Sequence, residues 1–244
     1  MALLETHDVV VAFGGNRALD EISLEVAEGT VTGLIGPNGA GKTTMFNVIT
    51  GLLSPGDGNV LLDGKDITKL PPHKRAQRGL ARTFQRLELF TSLTVRDNIQ
   101  VAGEIRNHWG LGDNIDASAE ADRIIELVGL TEVADREVSE IPTGTARVVE
   151  LGRALMTKPR VLLLDEPASG QTEQETHAFG QLLRRLCDDG LAICLVEHDM
   201  ALVMEVCEVI HVLDYGRMIA VGTPDEIRTN QAVIDAYLGA PAGL

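Results

Sequence analysis

The sequence predicts an α/β fold in which helices cover both faces of a parallel sheet. Short apolar runs at Val161–Leu164, Leu191–Val196 and Val209–Leu213, the last interrupted by His211, are typical of strands buried on both faces. Apolar residues at helical spacing in Thr172–Cys187 and Met200–Val206 place a helix between successive strands. Strands that alternate with helices in this way favour parallel order in the sheet.

The first thirty residues predict an N-terminal antiparallel β subdomain. Val9–Phe13 is an apolar run, Gly14–Asn16 is suited to a turn, and Ile22–Val26 alternates apolar with polar residues. Two strands joined by a short turn pair in antiparallel order. A further strand is predicted at Val31–Ile35, where the parallel sheet begins.

The middle of the chain is expected to be mostly helical. Apolar residues recur at helical spacing in Val95–Val101, Ala117–Val128 and Thr145–Met156. We therefore expect one domain over residues 1–244, in which residues 1–84 and 160–244 form the core and residues from about 86 to 159 form a helical subdomain.

Composition narrows the classes of function. The net charge of −15 argues against nucleic acid as a partner, because a phosphate backbone would be repelled. No apolar run approaches the roughly 18–20 residues that span a bilayer, and the start of the chain lacks the features of a secretory signal. Cys187, Cys194 and Cys207 form no close-spaced pair and suit buried positions in a reducing compartment. We expect a cytoplasmic protein that meets a membrane only through another protein.

A glycine-rich segment follows the strand predicted at Val31–Ile35. It satisfies the pattern G-x-x-x-x-G-K-[ST] with Gly36, Pro37, Asn38, Gly39, Ala40, Gly41, Lys42 and Thr43. Such glycines let backbone N–H groups turn inward around a phosphate, and the helix predicted at Thr43–Thr50 adds its positive N-terminal end. We expect Lys42 to reach the β- and γ-phosphates and the Thr43 hydroxyl to bind Mg²⁺, with Thr44 beside them. This motif predicts a P-loop NTPase core with a nucleotide and Mg²⁺ as cofactors.

Two carboxylates follow the apolar strand Val161–Leu164. The strand would deliver Asp165 to the carboxyl edge of the sheet, where the phosphate loop also lies. Asp165 is expected to hold magnesium through its water shell, and Glu166 to accept a proton from the attacking water.

Two further polar residues are candidates for sensing the nucleotide. His198 closes the strand Leu191–Val196, from which its imidazole could hydrogen-bond the γ-phosphate. Gln85 stands at the boundary between the sheet and the helical portion, and its amide could bind the metal or orient water. We assign both to the catalytic group with Lys42 and Glu166.

In order and spacing, these motifs resemble those of the nucleotide-binding subunits of ATP-binding cassette (ABC) transporters over essentially the whole chain. Runs that resemble the ATPase subunits of branched-chain amino acid importers are Leu80–Gln85, Leu89–Phe90, Leu93–Val95, Val196–Met200, Gly222–Ile227 and Ala236–Gly239. The resemblance implies a RecA-like core, ATP as the nucleotide, and stacking of Phe13 on adenine, which suits an aromatic face.

Two parts of the chain depart from the family: the ABC motif, and Thr172, which stands where the family usually has Asp or Asn. The ABC motif is normally Leu-Ser-Gly-Gly-Gln at the start of a helix, but the matching run Ile141–Thr145 has Pro142 at the serine position. Proline has neither an N–H nor a hydroxyl to offer the γ-phosphate bound by the opposite subunit. The resemblance implies that Thr143 or Thr145, beside Gly144, supplies the hydroxyl instead.

The leading hypothesis is an ATPase subunit on the cytoplasmic face of a membrane, powering import of branched-chain amino acids or related solutes. Its implied partners are membrane permease subunits, a second ABC ATPase chain that is identical or related, and indirectly a solute-binding protein. The sequence leaves open the transported solute, the direction of transport and full hydrolysis with the altered motif.

Three alternatives stay open at this point. The first is the ATPase of a lipid or lipopolysaccharide exporter, although the run Arg82–Gln85 favours an importer. The second is a soluble P-loop kinase or GTPase, but a kinase would not need both Glu166 and His198, and the guanine-specific Asn-Lys-x-Asp motif does not occur. The third is a non-transport ABC protein, whose usual partners favour basic surfaces.

Overall fold

The structure is a computed structural model that describes residues 2–110 and 114–238. The strands are β1 (Ala2–Phe13), β2 (Asn16–Ala27), β3 (Val31–Ile35), β4 (Asp57–Leu62), β5 (Lys65–Asp66), β6 (Leu80–Arg82), β7 (Val161–Asp165), β8 (Ala192–Val196), β9 (Val209–Asp214) and β10 (Arg217–Gly222). The α-helices are α1 (Lys42–Thr50), α2 (Pro72–Ala76), α3 (Val95–His108), α4 (Ala117–Leu127), α5 (Thr143–Met156), α6 (Glu173–Asp188), α7 (Met200–Val206), α8 (Pro224–Thr229) and α9 (Gln231–Leu238). Short 3₁₀ turns occupy Thr131–Val133 and Val138–Glu140. Gly239, the last residue of the importer-like ending, lies outside the described residues.

A six-stranded sheet forms the core, in the order β10-β9-β3-β8-β7-β6. The strands β9, β3, β8, β7 and β6 run parallel, and β10 pairs antiparallel at the edge. Every residue of β7 and β8 is buried, as their apolar runs predict, and so is every residue of β3, whereas Val209 at the start of β9 is exposed, contrary to the prediction for that run. The predicted parallel sheet is confirmed. Because its strands run the same way, the segments after Ile35, Arg82, Asp165 and Val196 emerge at one edge.

A second, antiparallel sheet has the order β2-β1-β4-β5. Its first two strands are twelve residues each, longer than the predicted Val9–Phe13 and Ile22–Val26. Register shifts interrupt their pairing, among them one between Thr6 and Val9, and Asp8 and Glu21 have positive φ angles of 47° and 57°. These irregularities break the alternation of apolar and polar residues, so the sequence pattern identifies only part of each strand.

The helices between β6 and β7 begin and end differently from the prediction. Helix α3 continues to His108, and Gly103 lies within it. A β-carbon there would lie 2.3 Å from Met156 Cε, so the glycine serves close packing between α3 and α5 rather than ending the helix. Helix α5 begins at Thr143, two residues earlier than predicted, because Pro142 is its N-cap. Within the described residues, no helix is both long and apolar enough to cross a membrane.

The three cysteines and Arg75 are buried in the protein. The three cysteines are free and buried, as predicted, and burial raises the pKa of Cys187 and of Cys207 to about 12. Arg75 is 1% exposed. Its guanidinium donates to the carbonyls of Val48 and Ile49 at 2.7 Å, near the end of α1, and also to those of Leu70 and Thr68.

Candidate functional site

The phosphate loop connects β3 to α1 and depends on glycine at two positions. Gly36 has φ 149°, and a β-carbon there would lie 2.0 Å from the carbonyl oxygen of Leu213. Gly41 has φ 113°, and a β-carbon would lie 2.9 Å from the Ala18 carbonyl oxygen. The loop is therefore pressed against neighbouring backbone that leaves no room for side chains. Gly41 is the N-cap of α1 and makes no side-chain capping bond, so the amides of this turn suit an anion.

The ammonium group of Lys42 folds back over this loop. Its Nζ donates to the carbonyls of Gly36 at 2.6 Å and Pro37 at 3.0 Å. Burial lowers the pKa of Lys42, while the carboxylates of Glu166 and Asp165 oppose that change. The structure thus places the positive charge at the loop and near both acidic residues.

Asp165 ends β7 and is held by residues that follow β6. Arg82 Nη2 lies 2.8 Å from Asp165 Oδ2, and both side chains are almost fully buried. The Asp165 amide also donates to the Thr83 hydroxyl at 3.3 Å. Arg82 Nη1 donates to Asn47 Oδ1 at 2.7 Å, which ties the pair to α1.

The Glu166 carboxylate contacts two of the other predicted catalytic residues, Gln85 and His198. Gln85 Nε2 donates to Glu166 Oε2 at 3.1 Å, and His198 Nε2 lies 2.8 Å from Glu166 Oε1. The Glu166 backbone has φ 51°, a left-handed conformation that is strained for a residue with a β-carbon. Strain of this kind occurs at functional sites, where the surrounding structure must hold it.

These residues surround one open cavity of about 280 Å³. It is lined by Ala18, Asn38, Gly39, Ala40, Gly41, Lys42, Thr43, Thr44, Gln85, Glu166, Val196 and His198. Asp165 is buried behind this lining. Phe13 is 57% exposed at the end of β1 and lies outside the lining, so it is not a core residue.

The residues of the altered motif lie elsewhere in the chain. Thr143 is exposed at the first turn of α5. Gly144 is buried, and a β-carbon there would lie 2.9 Å from the Gly170 carbonyl oxygen. Gly144 and half-buried Thr145 line a separate cavity of about 460 Å³ between α5 and α6. Within one chain, therefore, none of the three joins the phosphate-loop cavity.

A known family model matches more than half of the chain. Residues 19–169 match the model of the family described as ABC transporter. The chain belongs to the ABC transporter family. Residues 217–243 of the cassette also match a model described as branched-chain amino acid ATP-binding cassette transporter.

Individual relatives resemble this cassette over nearly its full length. The high-affinity branched-chain amino acid transport ATP-binding protein BraF of Pseudomonas aeruginosa is 40% identical, with 97% of this chain and 98% of the relative covered. The lipopolysaccharide export system ATP-binding protein LptB of Escherichia coli K12 is 35% identical, with 98% of each covered. A crystal structure of the ADP conformation of an ATP-binding cassette has a TM-score of 0.87 at 31% identity, covering 98% of this chain and 99% of that one. The cassette is an ATP-binding ATPase.

Sequence reasoning missed Glu197 in the cassette. This carboxylate is buried and accepts from the amides of Ala168 at 2.7 Å and His198 at 3.0 Å. Burial raises the pKa of Glu197, and these backbone bonds oppose the rise. Glu197 thus joins the loop after β7 to the loop after β8. The signal available was an acidic residue directly after an apolar strand, the same signal that identified Asp165.

The cassette also fastens Gln85 to the helical segment. Arg147 of α5 donates to the carbonyl of Phe84 at 2.7 Å and to that of Gln85. Glu150 pairs with Arg147 at 2.9 Å and accepts from the Glu88 amide at 2.8 Å. These contacts connect the segment that carries Gln85 to α5.

Thr172 has a local role in the cassette, at a position where the family resemblance would lead one to expect Asp or Asn. Its hydroxyl caps α6 by accepting from the Glu175 amide, and the Glu175 carboxylate accepts from the Thr172 amide at 2.7 Å. This reciprocal capping box explains why a threonine suits the position.

The cassette's oxygen donors suit magnesium. Mg²⁺ prefers oxygen ligands and is commonly shared between one or two protein groups, water and substrate phosphates. Thr43, Gln85 and Asp165 offer a hydroxyl, an amide and a carboxylate. Among the described residues, no group of three or more His, Cys, Asp or Glu side chains is arranged to hold a metal without such help. The donor set therefore fits a metal that arrives with a nucleotide.

Proposed function

We propose that this cassette hydrolyses MgATP to power the import of branched-chain amino acids or related polar solutes through membrane permease subunits. The observation that carries the hydrolytic part is the placement of Glu166 between Gln85 and His198, beside the phosphate loop and Lys42. The 40% identity to BraF and the match over residues 217–243 support the class of solute.

Each residue has a distinct part in the proposed reaction. The phosphate-loop amides and Lys42 would bind the β- and γ-phosphates, and Thr43, Gln85 and Asp165 would hold the metal, Asp165 through its water shell. When bound, Mg²⁺ would neutralise charge that develops on the phosphate oxygens. Glu166 accepts a proton from the attacking water. His198 donates a hydrogen bond to the γ-phosphate and leaves Glu166 when that phosphate is present.

A second ABC ATPase chain would complete the site. Thr143 is exposed at the start of α5, and Pro142 offers no side-chain cap there, so the first turn of this helix remains available to an anion. Phe13 is equally exposed and offers an aromatic face to adenine. We propose that Thr143, rather than half-buried Thr145, faces the γ-phosphate held by the other chain, with the backbone of Gly144 beside it.

A groove on the cassette is the candidate docking site for the permease subunits. A cavity of about 360 Å³ lies between the core and the helical segment. Its lining includes Leu52, Phe84, Ile105 and Trp109, large apolar side chains that are 39–56% exposed. Exposed apolar residues gathered in one groove mark an interaction site. We propose that a cytoplasmic helix of the permease fills it, which would hold the cassette at the cytoplasmic face of the membrane, with a solute-binding protein engaged only through the permease.

The alternative substrate class is lipopolysaccharide export, favoured by the 35% identity to LptB. Purification of the cassette from membranes, followed by mass spectrometry of the bound chains, distinguishes amino acid import from lipopolysaccharide export. Permeases that also bind an amino-acid-binding protein support import, and uptake of labelled leucine by cells with and without the cassette tests it directly. Permeases of a lipopolysaccharide exporter would overturn the import proposal.

The nucleotide site itself is tested by Lys42→Ala. Removing this charge should abolish tight MgATP binding, because the phosphates lose their main cationic partner. Lys65→Ala is the control, since Lys65 is an exposed lysine of β5, at the edge of the antiparallel sheet and outside the lining of the phosphate-loop cavity. Calorimetric titration compares the three proteins. Unchanged affinity in Lys42→Ala would show that the phosphate loop is not the site.

A further inference from the structure

The buried pair of Arg82 and Asp165 has a consequence for metal binding. The Arg82 side chain is 5% exposed and that of Asp165 is 2% exposed, so water screens their interaction poorly. Arg82 binds Oδ2 of the carboxylate at 2.8 Å. A cation held this close repels an approaching Mg²⁺ and occupies one of the oxygens that would face it. The electrostatic effect opposes metal binding.

Arg82 also touches the proposed permease groove. Its guanidinium carbon lies 4.9 Å from the centre of the Phe84 ring and 5.3 Å from that of Phe46. Phe46 is buried in α1, whereas Phe84 is 39% exposed and lines the groove. Cation–π contacts at partly desolvated sites contribute measurably to side-chain position. One side chain therefore bridges the exposed ring of the groove and the buried carboxylate.

We propose that Arg82 is a positioning residue that holds Asp165 while the metal is absent, competes with Mg²⁺ for its carboxylate, and transmits the position of Phe84 to it. This inference rests on the proposed MgATP site. A groove occupant that displaces Phe84 loosens the guanidinium and makes the carboxylate more available to Mg²⁺. Occupation of the groove then raises the Mg²⁺ affinity of the nucleotide site through the Arg82 side chain.

The test measures ADP binding to the isolated chain at a series of Mg²⁺ concentrations, because ADP is not consumed. In Arg82→Met, the Mg²⁺ concentration at half-maximal effect should fall about tenfold or more, the change expected when a charge-assisted interaction no longer competes. ADP affinity in excess chelator should stay within about twofold of the parent, since Arg82 binds no phosphate. A merely structural role would raise the Mg²⁺ requirement or weaken binding in both conditions.

Matched controls come from a similar pair that does not reach Asp165. The Arg153 guanidinium carbon lies 5.1 Å from the centre of the Phe90 ring. Arg153→Met and Phe90→Leu should leave the Mg²⁺ requirement unchanged. If Arg82→Met does not fold, Arg82→Lys keeps the charge but lacks the fork that reaches both Asn47 and Asp165, and it should shift the requirement in the same direction by a smaller factor.

The link to the groove is tested by a double-mutant cycle. Phe84→Leu should lower the Mg²⁺ requirement in the parent and have no effect in Arg82→Met, because the ring acts through the guanidinium. Equal effects of Phe84→Leu in both backgrounds would overturn the link. An unchanged or raised Mg²⁺ requirement in both Arg82 variants would overturn the proposal that Arg82 competes with Mg²⁺ for the Asp165 carboxylate. A parent whose ADP affinity ignores Mg²⁺ would overturn the proposed MgATP site together with this inference.

Discussion

His198 and Glu166 share a hydrogen bond of 2.8 Å between Nε2 and Oε1, across 32 residues of sequence. The Glu166 side chain is 20% exposed and that of His198 is 47% exposed, so the bond lies at the open mouth of the cavity. Gln85 binds the other oxygen of the same carboxylate. The proposed base is therefore restrained on both oxygens until a nucleotide competes for its partners.

Replacing this base by its amide tests its role. Glu166→Gln should bind MgATP normally and hydrolyse it at least about 100-fold more slowly, the effect expected for loss of a general base. It should also form a dimer in ATP but not in ADP, because the γ-phosphate would bridge two chains. Phosphate release and sedimentation in each nucleotide measure the two outcomes. A turnover rate equal to the parent's contradicts the base assignment.

The backbone at Glu166 makes a separate prediction about stability. Its φ of 51° is unfavourable for any residue with a β-carbon, whereas glycine adopts it freely. Glu166→Gly should therefore be more stable than Glu166→Ala by about 1 kcal/mol, although both lose the same hydrogen bonds. Urea unfolding of the two variants gives the difference. An alanine variant as stable as the glycine variant would show that the conformation at this position is not strained.

The two threonines of the altered motif should differ. Thr143 is exposed at the start of α5, whereas half-buried Thr145 lines the cavity against α6. In a Glu166→Gln background, Thr143→Val should weaken ATP-driven dimerisation by about 1.5–3 kcal/mol per site, the range for a hydrogen bond to a charged group. Thr145→Val is the matched control and should change it little. Sedimentation at several concentrations provides both values, and equal effects of the two variants contradict the distinction.

His211 makes stability depend on pH. It is 5% exposed in β9, and burial lowers its pKa to about 4, opposed by a hydrogen bond to the backbone of Glu25. An unfolded chain binds the proton with a pKa of about 6.5, so acidification favours unfolding as pH falls from about 6.5 towards about 4. Titration of His211 lowers the free energy of unfolding by about 3 kcal/mol in full, and by about 2 kcal/mol at pH 5.

The matched variant is His211→Gln, which removes the titrating group and keeps a polar side chain. Between pH 7.5 and pH 5, the parent should lose about 2 kcal/mol more unfolding free energy than the variant, because other groups titrate alike in both. Urea unfolding at each pH measures this. Parallel pH profiles for the two proteins would show that His211 does not titrate differently on unfolding.

Much of the site could be predicted because its motifs are local. The phosphate loop from Gly36 to Thr43 is continuous in sequence, and Asp165, Glu166 and His198 lie within two residues of the end of an apolar run. Parallel strands bring such ends to one edge, so their proximity followed from the fold class. The parallel sheet was predictable because its buried strands β7 and β8 come from short, nearly continuous apolar runs.

Contacts between distant residues could not be predicted. Arg82 and Asp165 are 83 positions apart, and nothing in the run Leu80–Gln85 indicates that the arginine is buried or which acid it meets. The carboxylate of Glu197 meets the amide of Ala168 across 29 positions with no pattern to announce it. Such pairings depend on the relative placement of loops, which residue spacing does not encode.

The capping of α1 by Arg75 also affects how the nucleotide site responds to load. One end of this helix carries the phosphate loop, and at the other the arginine holds the carbonyls of Val48 and Ile49. The bonds at the last turn satisfy carbonyls that would otherwise lack a helical partner, and they oppose fraying of that end. A displacement of the phosphate loop would then be transmitted through α1 to the Arg75 guanidinium. The same guanidinium binds the carbonyls of Leu70 and Thr68, so the displacement would reach that segment.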